Sequence, residues 1–173
     1  MSEFSSKSAA QHRRQAPESV RSAVLTVSDT RKPQDDRGGP LIRQMLTTAG
    51  HEVGQNQIVP DEPVRLTEAV QQYLEQPAID VILITGGTGV ASRDQTPDTV
   101  EKLYTKTLPG YGELFRMLSY QEIGSAALLS RASGGLIGRT VVLTMPGSPA
   151  AVRLAMEKLI LPELAHLVEQ ARG

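Results

Sequence analysis

The stretch Val81–Val100 reads VILITGGTGVASRDQTPDTV and decides the fold. Its beginning, DVILIT at residues 80–85, is an apolar run of strand length, which is typical of a strand covered on both faces in a parallel sheet. Three glycines follow, and Thr96-Pro97 then opens a helix with a hydroxyl at the cap and proline at the first helical position. The stretch predicts a buried strand, a tight turn and a helix in direct succession.

The same alternation extends over the rest of the chain. Strands are predicted at residues 21–28, 51–59 and 140–144, and helices are predicted to begin at Pro40, near Asp61, at Pro109 and at Ser148-Pro149. Pro162 is expected to kink the last helix, and residues 127–138 are ambiguous, with a small extended excursion as one interpretation. Strands that alternate with helices favour a parallel or mostly parallel sheet with helices on both faces.

The composition excludes several classes of function. The chain has 173 residues, enough for one domain, and a net charge of −1, which gives no reason to expect a nucleic acid or an anionic membrane as partner. There is no cysteine, and the three histidines lie far apart in the sequence, so thiolate sites and histidine metal motifs are excluded. No apolar run reaches the length of a membrane span, and a cytoplasmic location is the default expectation.

The N-terminus is predicted to be a separate tail. Residues 1–19 are polar, lack the apolar core of a signal peptide and offer nothing to bury, so we expect disorder there. Residues 20–173 are predicted to form a single domain, because no internal linker or repeat interrupts them.

Four loops leave a strand and enter a helix, and in such a sheet ligands bind outside the carboxyl ends of the strands. These loops are Ser28–Gly39, Pro60–Pro63, Gly86–Thr96 and Pro146–Ser148. All four are therefore expected to open onto one edge of the sheet.

The chemistry of that edge favours an anion. Glycines allow backbone N–H groups to approach a phosphate, and the helix that begins near Thr96 adds unpaired donors and a positive dipole end. The helix that begins at Ser148 could do the same for a second anionic group. Asp94 would repel a phosphate unless a cation lies between them, and Mg²⁺ is the usual cation.

Simpler roles stay open for several of these residues. The glycines could be plain turn geometry, and Asp61 could be a helix cap. Asp35 and Asp36 are interpreted as solvated loop charges, and Arg131 as a surface residue. Known glycine motifs do not apply, because the sequence lacks both the P-loop pattern and the full dinucleotide fingerprint. The residues by themselves thus predict a phosphate-binding, Mg²⁺-using α/β protein, without naming its substrate.

Six segments carry a resemblance to a known family. LTVSDT, IVPDE, LITGGTGVASRDQTPD, PGYGELFRMLSYQEIG, SRASGG and MPGSPAAV occur in the order that is typical of the molybdenum cofactor biosynthesis B proteins. The resemblance covers nearly everything after residue 20. The run FRMLSYQEIG is more similar to the B-type proteins than to their relatives, the molybdopterin adenylyltransferases of the MogA type.

This resemblance implies a fold and an activity. The fold is expected to be a three-layer α/β/α sandwich with a mostly parallel central sheet. Active members bind molybdopterin and Mg-ATP, form adenylylated molybdopterin and release pyrophosphate, and family members assemble as homo-oligomers, trimers or hexamers. The Leu/Met face of the helix at residues 113–123 is interpreted as core or subunit contact.

The resemblance also assigns site residues. Asp61 and Asp94 are expected to be the catalytic acids and to hold Mg²⁺. Substrate and phosphate contacts are expected from Thr85, Gly86, Gly87, Thr88, Gly89, Ser130, Pro146 and Gly147, and Ser148 joins them as the helix start proposed above.

There are two alternatives to an adenylyltransferase. Catalytic relatives usually have Asn where this chain has Thr144, and some B-type proteins bind molybdopterin without adenylylating it. A non-catalytic molybdopterin- or nucleotide-binding oligomer is therefore the rival hypothesis, although both acids and the RDQTPD loop favour an active enzyme. A nicotinamide oxidoreductase is disfavoured by the missing fingerprint.

Overall fold

The computed structural model describes residues 16–173. The predicted tail thus lies mostly outside the described residues. Within the described part, the Ser19 hydroxyl donates a hydrogen bond to the carbonyl of Gly50 at 3.1 Å, so the chain is tied to the body of the protein just before the first strand.

Within residues 16–173, six strands form one sheet. They are β1 (Arg21–Val27), β2 (Glu52–Val59), β3 (Val81–Thr85), β4 (Lys106–Thr107), β5 (Gly134–Ile137) and β6 (Thr140–Met145). The order across the sheet is β2-β1-β3-β6-β5-β4. Strands β2, β1, β3 and β6 are parallel, β5 is antiparallel to β6, and β4 is antiparallel to β5. The prediction of a mostly parallel sheet is confirmed.

Helices cover both faces of this sheet. They are α1 (Gly38–Thr48), α2 (Pro63–Leu74), α3 (Thr96–Val100), α4 (Pro109–Ile123), α5 (Pro149–Ala155) and α6 (Leu161–Arg172). Shorter 3₁₀ turns occupy Glu101–Leu103 and Gly124–Leu129, and a π-helical turn at Met156–Ile160 joins α5 to α6. The three-layer α/β/α prediction is thereby confirmed.

The apolar side chains of β3 belong to two separate hydrophobic cores. Val81 and Leu83 belong to the cluster on the face covered by α1, α4, α5 and α6. Ile82 and Ile84 belong to the cluster on the face covered by α2 and α3. Because successive side chains of a strand point to opposite faces, a central strand between two helical layers is apolar on both faces, as residues 81–84 are here.

The structure revises several predicted boundaries. The helix that opens at Thr96 is α-helical only to Val100, and the strand β4 was not predicted, because two residues carry no periodic signal. The ambiguous segment contains β5, which pairs antiparallel with β6. Before Pro162 the helix widens into the π-helical turn rather than simply kinking. Proline has no N–H to donate and crowds the preceding turn, and a π turn accommodates both.

Two predicted roles for acidic residues are wrong. Asp36 is 7% exposed rather than solvated. Its Oδ1 accepts hydrogen bonds from the N–H groups of Gly38 (3.0 Å) and Gly39 (3.3 Å), and its Oδ2 accepts one from the Thr26 hydroxyl (2.8 Å). Asp36 therefore caps α1 and joins it to β1, which is why α1 begins before Pro40. Asp61, in contrast, does not cap α2, whose first turn has no side-chain cap.

Candidate functional site

A cleft of about 600 Å³ opens at the carboxyl ends of the parallel strands. Residues of all four strand-to-helix loops line it, so the prediction that these loops share one edge is confirmed. The volume is within the range that small-molecule sites occupy.

The cleft gathers the predicted site residues with one exception. Its lining includes Asp61, Gly86, Gly87, Thr88, Gly89, Asp94, Ser130, Pro146, Gly147 and Ser148. Thr85 is fully buried instead. Its hydroxyl donates to the carbonyl of Pro146 at 3.1 Å, so Thr85 ties the end of β3 to the neighbouring turn rather than facing the cleft.

The first two glycines of the loop are required by local packing. Both have positive φ, +106° at Gly86 and +61° at Gly87. A Cβ at Gly86 would collide with the carbonyl of Val27, and a Cβ at Gly87 would collide with Oδ2 of Asp61 and Oγ1 of Thr96. Turn geometry and close approach therefore explain these glycines by themselves, and the phosphate cradle stays a prediction.

Asp61 is held between two loops. Its Oδ1 accepts a hydrogen bond from the N–H of Gln95 at 3.0 Å, while its Oδ2 has no hydrogen-bond partner among residues 16–173. Burial raises the pKa of Asp61 to about 6, and the negative charges of Asp94 and Asp29 act in the same direction. A nearby cation would relieve both the burial cost and the repulsion.

Asp94 closes its own loop. Its Oδ2 accepts a hydrogen bond from the N–H of Ala91 at 3.0 Å, and a Cβ at Gly89 would lie 2.6 Å from the same oxygen. Gly89 is thus the residue that makes room for this carboxylate. The other oxygen, Oδ1, has no hydrogen-bond partner in the described part of the chain.

The two carboxylates could hold a metal only with outside ligands. No group of three or more His, Asp or Glu side chains within residues 16–173 could hold an ion by itself. Mg²⁺ is commonly bound by one or two carboxylates, with water and substrate phosphate oxygens completing its shell. The free oxygens of Asp61 and Asp94 fit that kind of site and not a closed protein cage.

Thr96 was expected to cap its helix, and this prediction is wrong. The residue before α3 is Gln95, and no side-chain cap is present there. The Thr96 hydroxyl is buried without a hydrogen-bond partner among the described residues, on the same side of Gly87 as Asp61.

Arg131 is a structural clamp on the loop that carries Asp94. Its Nε donates to the carbonyl of Gly89 (2.7 Å), its Nη2 to the carbonyl of Asp94 (2.5 Å) and its Nη1 to the carboxylate of Asp98 (2.6 Å). The interpretation as a simple surface residue is therefore wrong. Its guanidinium holds the loop in place with three of its N–H donors.

The turn at Pro146–Ser148 behaves as its sequence predicts. The Ser148 hydroxyl accepts a hydrogen bond from the N–H of Ala151 at 3.2 Å and caps α5, with Pro149 as the first helical residue. Thr144 is fully buried in β6. Its Oγ1 accepts from the N–H of Ser133 at 2.9 Å, so this side chain is directed at the neighbouring β5 segment and not at the cleft.

Sequence reasoning missed the charged pair on the β1 side. Arg93 donates from Nε to Oδ2 of Asp29 (2.6 Å) and from Nη2 to Oδ1 (2.9 Å). The Oδ1 of Asp29 also accepts from the N–H of Asp61 at 3.0 Å. These hydrogen bonds, that of Arg93 foremost, lower the pKa of Asp29. The position of Asp29 just beyond strand β1 was the available signal.

A helical wall of the cleft was also missed. Phe115, Ser119 and Ile123 of α4 line it, together with Leu129. The same helix and the 3₁₀ turn after it expose large apolar side chains, namely Leu114, Met117, Tyr120, Ile123, Leu128 and Leu129. Helical periodicity alone does not tell which apolar residue faces a cleft and which faces outward.

The comparisons with known proteins agree with this architecture. The model of one protein family, described as "Probable molybdopterin binding domain", matches residues 23–166. The molybdenum cofactor biosynthesis protein B of Bacillus cereus is 50% identical over 161 residues, which are 92% of this chain and 95% of that protein.

Two solved structures extend the similarity to three dimensions. A crystal structure of a molybdenum cofactor biosynthesis protein B superposes with a TM-score of 0.88 at 50% identity, covering 91% of this chain and 99% of that chain. The tungsten cofactor synthesizing protein MoaB from Pyrococcus furiosus superposes with a TM-score of 0.83 at 36% identity, covering 91% and 100%. No helix within residues 16–173 is both long and apolar enough to cross a membrane.

Proposed function

The chain belongs to the molybdenum cofactor biosynthesis family, and from this membership we propose that it adenylylates molybdopterin with Mg-ATP and releases pyrophosphate. Membership of the family supports a role in building the cofactor. The proposal of adenylylation depends on the residues that line the cleft. The observation that carries it is the pair Asp61 and Asp94, which line the same cleft as the glycine loop and each keep one oxygen without a partner among the described residues.

The reaction asks the protein mainly to position two anions. A terminal phosphate of molybdopterin would attack the α-phosphorus of ATP, the bond to the β-phosphate would break, and pyrophosphate would leave. No side chain needs to become a covalent nucleophile. Positioning and neutralisation of charge supply the catalysis in such a transfer.

Asp61 and Asp94 would hold Mg²⁺ through their free oxygens. The ion supplies neutralisation of phosphate charge when it is bound. The chain's own part is to hold the two carboxylates in place. The N–H of Gln95 orients Asp61, and the N–H of Ala91 orients Asp94. Arg131 holds the loop that carries Asp94. The N–H groups of Gly87, Thr88 and Gly89 remain the proposed contacts to a phosphate, whereas that of Gly86 donates to the carbonyl of Met145 at 2.9 Å.

The experiment is pyrophosphate release with formation of adenylylated molybdopterin, without air. Asp94→Asn and Asp61→Asn are the right variants, because an amide oxygen can still accept the loop hydrogen bond while the charge is lost. We expect both to reduce turnover by at least about a hundredfold while molybdopterin binding is retained. Asp35→Asn, an exposed acid outside the cleft, is the control. Wild-type turnover in Asp94→Asn would refute the metal role.

A molybdopterin carrier without turnover is the second candidate. The observation that favours it is Thr144, whose side chain is buried against Ser133 where catalytic relatives usually have Asn. Saturable molybdopterin binding by the wild-type protein, with no pyrophosphate released at any Mg²⁺ concentration, would decide for the carrier.

We also propose a homo-oligomer, trimer or hexamer, that buries the exposed apolar side chains of α4. Met117 is 51% exposed and Leu128 is 81% exposed, and such a cluster is typical of a contact surface. Light scattering should show Met117→Glu as a smaller species than the wild type. Glu75→Gln, at an exposed position just after α2, is the control.

A further inference from the structure

Two cationic side chains line the cleft, and only one of them is neutralised. Arg93 is engaged by the carboxylates of Asp29 and Glu62. Arg31 has no acidic partner within residues 16–173. Its only side-chain hydrogen bond there is from Nη2 to the carbonyl of Gly147, at 3.2 Å. Most of its donors are therefore free.

Arg31 lies against the turn that follows β6. A Cβ at Gly147 would lie 3.0 Å from its Nη1, so the guanidinium lies along the bare face of that glycine. Asp61 and Asp94, in contrast, lie beside Gly87 and Gly89. Arg31 thus contacts the turn after β6, whereas the two acids contact the glycine turn after β3.

The backbone under Arg31 is held in a defined turn. The hydroxyl of Ser28 accepts hydrogen bonds from the N–H groups of Thr30 (3.4 Å) and Arg31 (3.2 Å). Together with the bond to Gly147, this turn joins the loop after β1 to the loop after β6. The side chain is partly buried, so less freedom is lost when it binds a ligand.

We propose that Arg31 binds the phosphoryl oxygens of the ligand at the Gly147 end of the cleft. A guanidinium matches two phosphate oxygens at once, and it is always charged. Asp29, Asp61 and Asp94 line this cleft, and a ligand anion outside the reach of a metal at Asp61 and Asp94 needs another cation. Arg31 is the side chain placed to supply it.

This inference rests on the proposed function for its choice of ligand. Two sources of phosphoryl oxygens are consistent with it, the pyrophosphate end of ATP and the terminal phosphate of molybdopterin. Both present the same kind of anionic group to Arg31. Pyrophosphate and molybdopterin, each used alone as a probe, distinguish the two.

The test is calorimetric titration of wild type, Arg31→Gln and Arg31→Lys with each probe in the presence of Mg²⁺. We expect Arg31→Gln to weaken one probe by about tenfold to a hundredfold, as loss of a charge-assisted pair does. Arg31→Lys should recover only part of that affinity. Arg43→Gln removes the same charge from the exposed side of α1 and should bind like wild type. Matching unfolding midpoints exclude misfolding.

The outcomes separate this inference from the proposed function. Arg31-dependent binding of either probe without pyrophosphate release would leave the Arg31 site standing and refute the adenylyltransferase. Unchanged affinity of Arg31→Gln for both probes, or no binding of either probe to the wild type, would overturn the Arg31 site whether or not turnover is found.

Discussion

Oδ1 of Asp61 accepts a hydrogen bond from the backbone N–H of Gln95, at 3.0 Å. This contact joins the loop after β2 to the loop after β3, although the two strands are separated in the sheet by β1. It places a buried carboxylate against the glycine turn and leaves its second oxygen free. The electrostatics of the cleft depend on this arrangement.

Asp61 should make stability depend on pH in an unusual direction. Its pKa is raised from 3.8 to about 6, chiefly by burial, so the folded protein holds this proton longer than the unfolded chain does. The resulting stabilisation is complete below the unfolded pKa and is lost as pH rises through about 6. Urea unfolding of wild type and Asp61→Asn between about pH 4 and pH 8 measures it. As pH rises over that range, the wild type should lose free energy of unfolding relative to Asp61→Asn.

Added Mg²⁺ should reverse this trend, because the ion binds the ionised carboxylate and lowers its pKa. The same series repeated with Mg²⁺ is the check, and NaCl at equal ionic strength separates site binding from screening. Parallel pH curves for wild type and Asp61→Asn would contradict the raised pKa. If Mg²⁺ does not change the dependence of the free energy of unfolding on pH, this result would count against a metal at Asp61.

Gly87 should be intolerant of a side chain for a steric reason beyond its φ. Gly138 has the same φ of +61°, but no atom lies within 4 Å of the position that a Cβ would take there, so the two glycines form a matched pair. Gly138→Ala should cost about 1–2 kcal/mol from the left-handed backbone. Gly87→Ala should cost about 1–3 kcal/mol more, because the methyl group collides with Asp61 and Thr96.

Urea unfolding of the two variants gives the comparison, and equal losses would show that the neighbours of Gly87 yield easily. The collision also bears on ligand studies. A bulky residue at Gly87 displaces Asp61 directly, so loss of ligand binding in such a variant does not isolate a contact between the backbone and a phosphate.

Asp36 should contribute to stability through its three hydrogen bonds. Removal of a buried cap of this kind costs about 1–3 kcal/mol, so Asp36→Ala should lower the free energy of unfolding by that amount. Asp35→Ala, the exposed neighbour, should stay within about 0.5 kcal/mol of wild type. A cycle with Thr26→Val measures how much of the loss belongs to the contact with Thr26. Equal losses of stability in Asp36→Ala and Asp35→Ala would contradict the capping role of Asp36.

Arg131 should control the rigidity of the loop that carries Asp94. Lysine keeps the charge but cannot make three bonds in the geometry of a guanidinium. In Arg131→Lys we therefore expect faster hydrogen exchange at the N–H groups of Asp94 and Thr96, which are bonded within this loop. Arg139→Lys, at an exposed position away from the cleft, should leave both unchanged. Exchange at wild-type rates in Arg131→Lys would show that the loop does not need the clamp.

The layered sheet and the edge where the cleft lies could be predicted from the sequence. Apolar runs such as residues 81–85, glycine turns and proline at the first helical position are local signals, and parallel connectivity then brings the loops to one edge. Short elements such as β4 were not predicted, because two residues are too few to show a periodic pattern. The positions of Asp61 and Asp94 at the cleft followed from this logic.

The role of each polar group at that edge depends on contacts between segments that are distant in the sequence. Asp61 finds its partner 34 residues away and Arg131 reaches the Gly89 carbonyl 42 residues away, and neither pairing has a local pattern. Asp36 and Asp35 are alike in sequence, yet one is buried and the other exposed, since burial depends on how α1 packs on β1. Propensity determines where an element forms, whereas the direction and partners of a side chain depend on distant segments that fold against it.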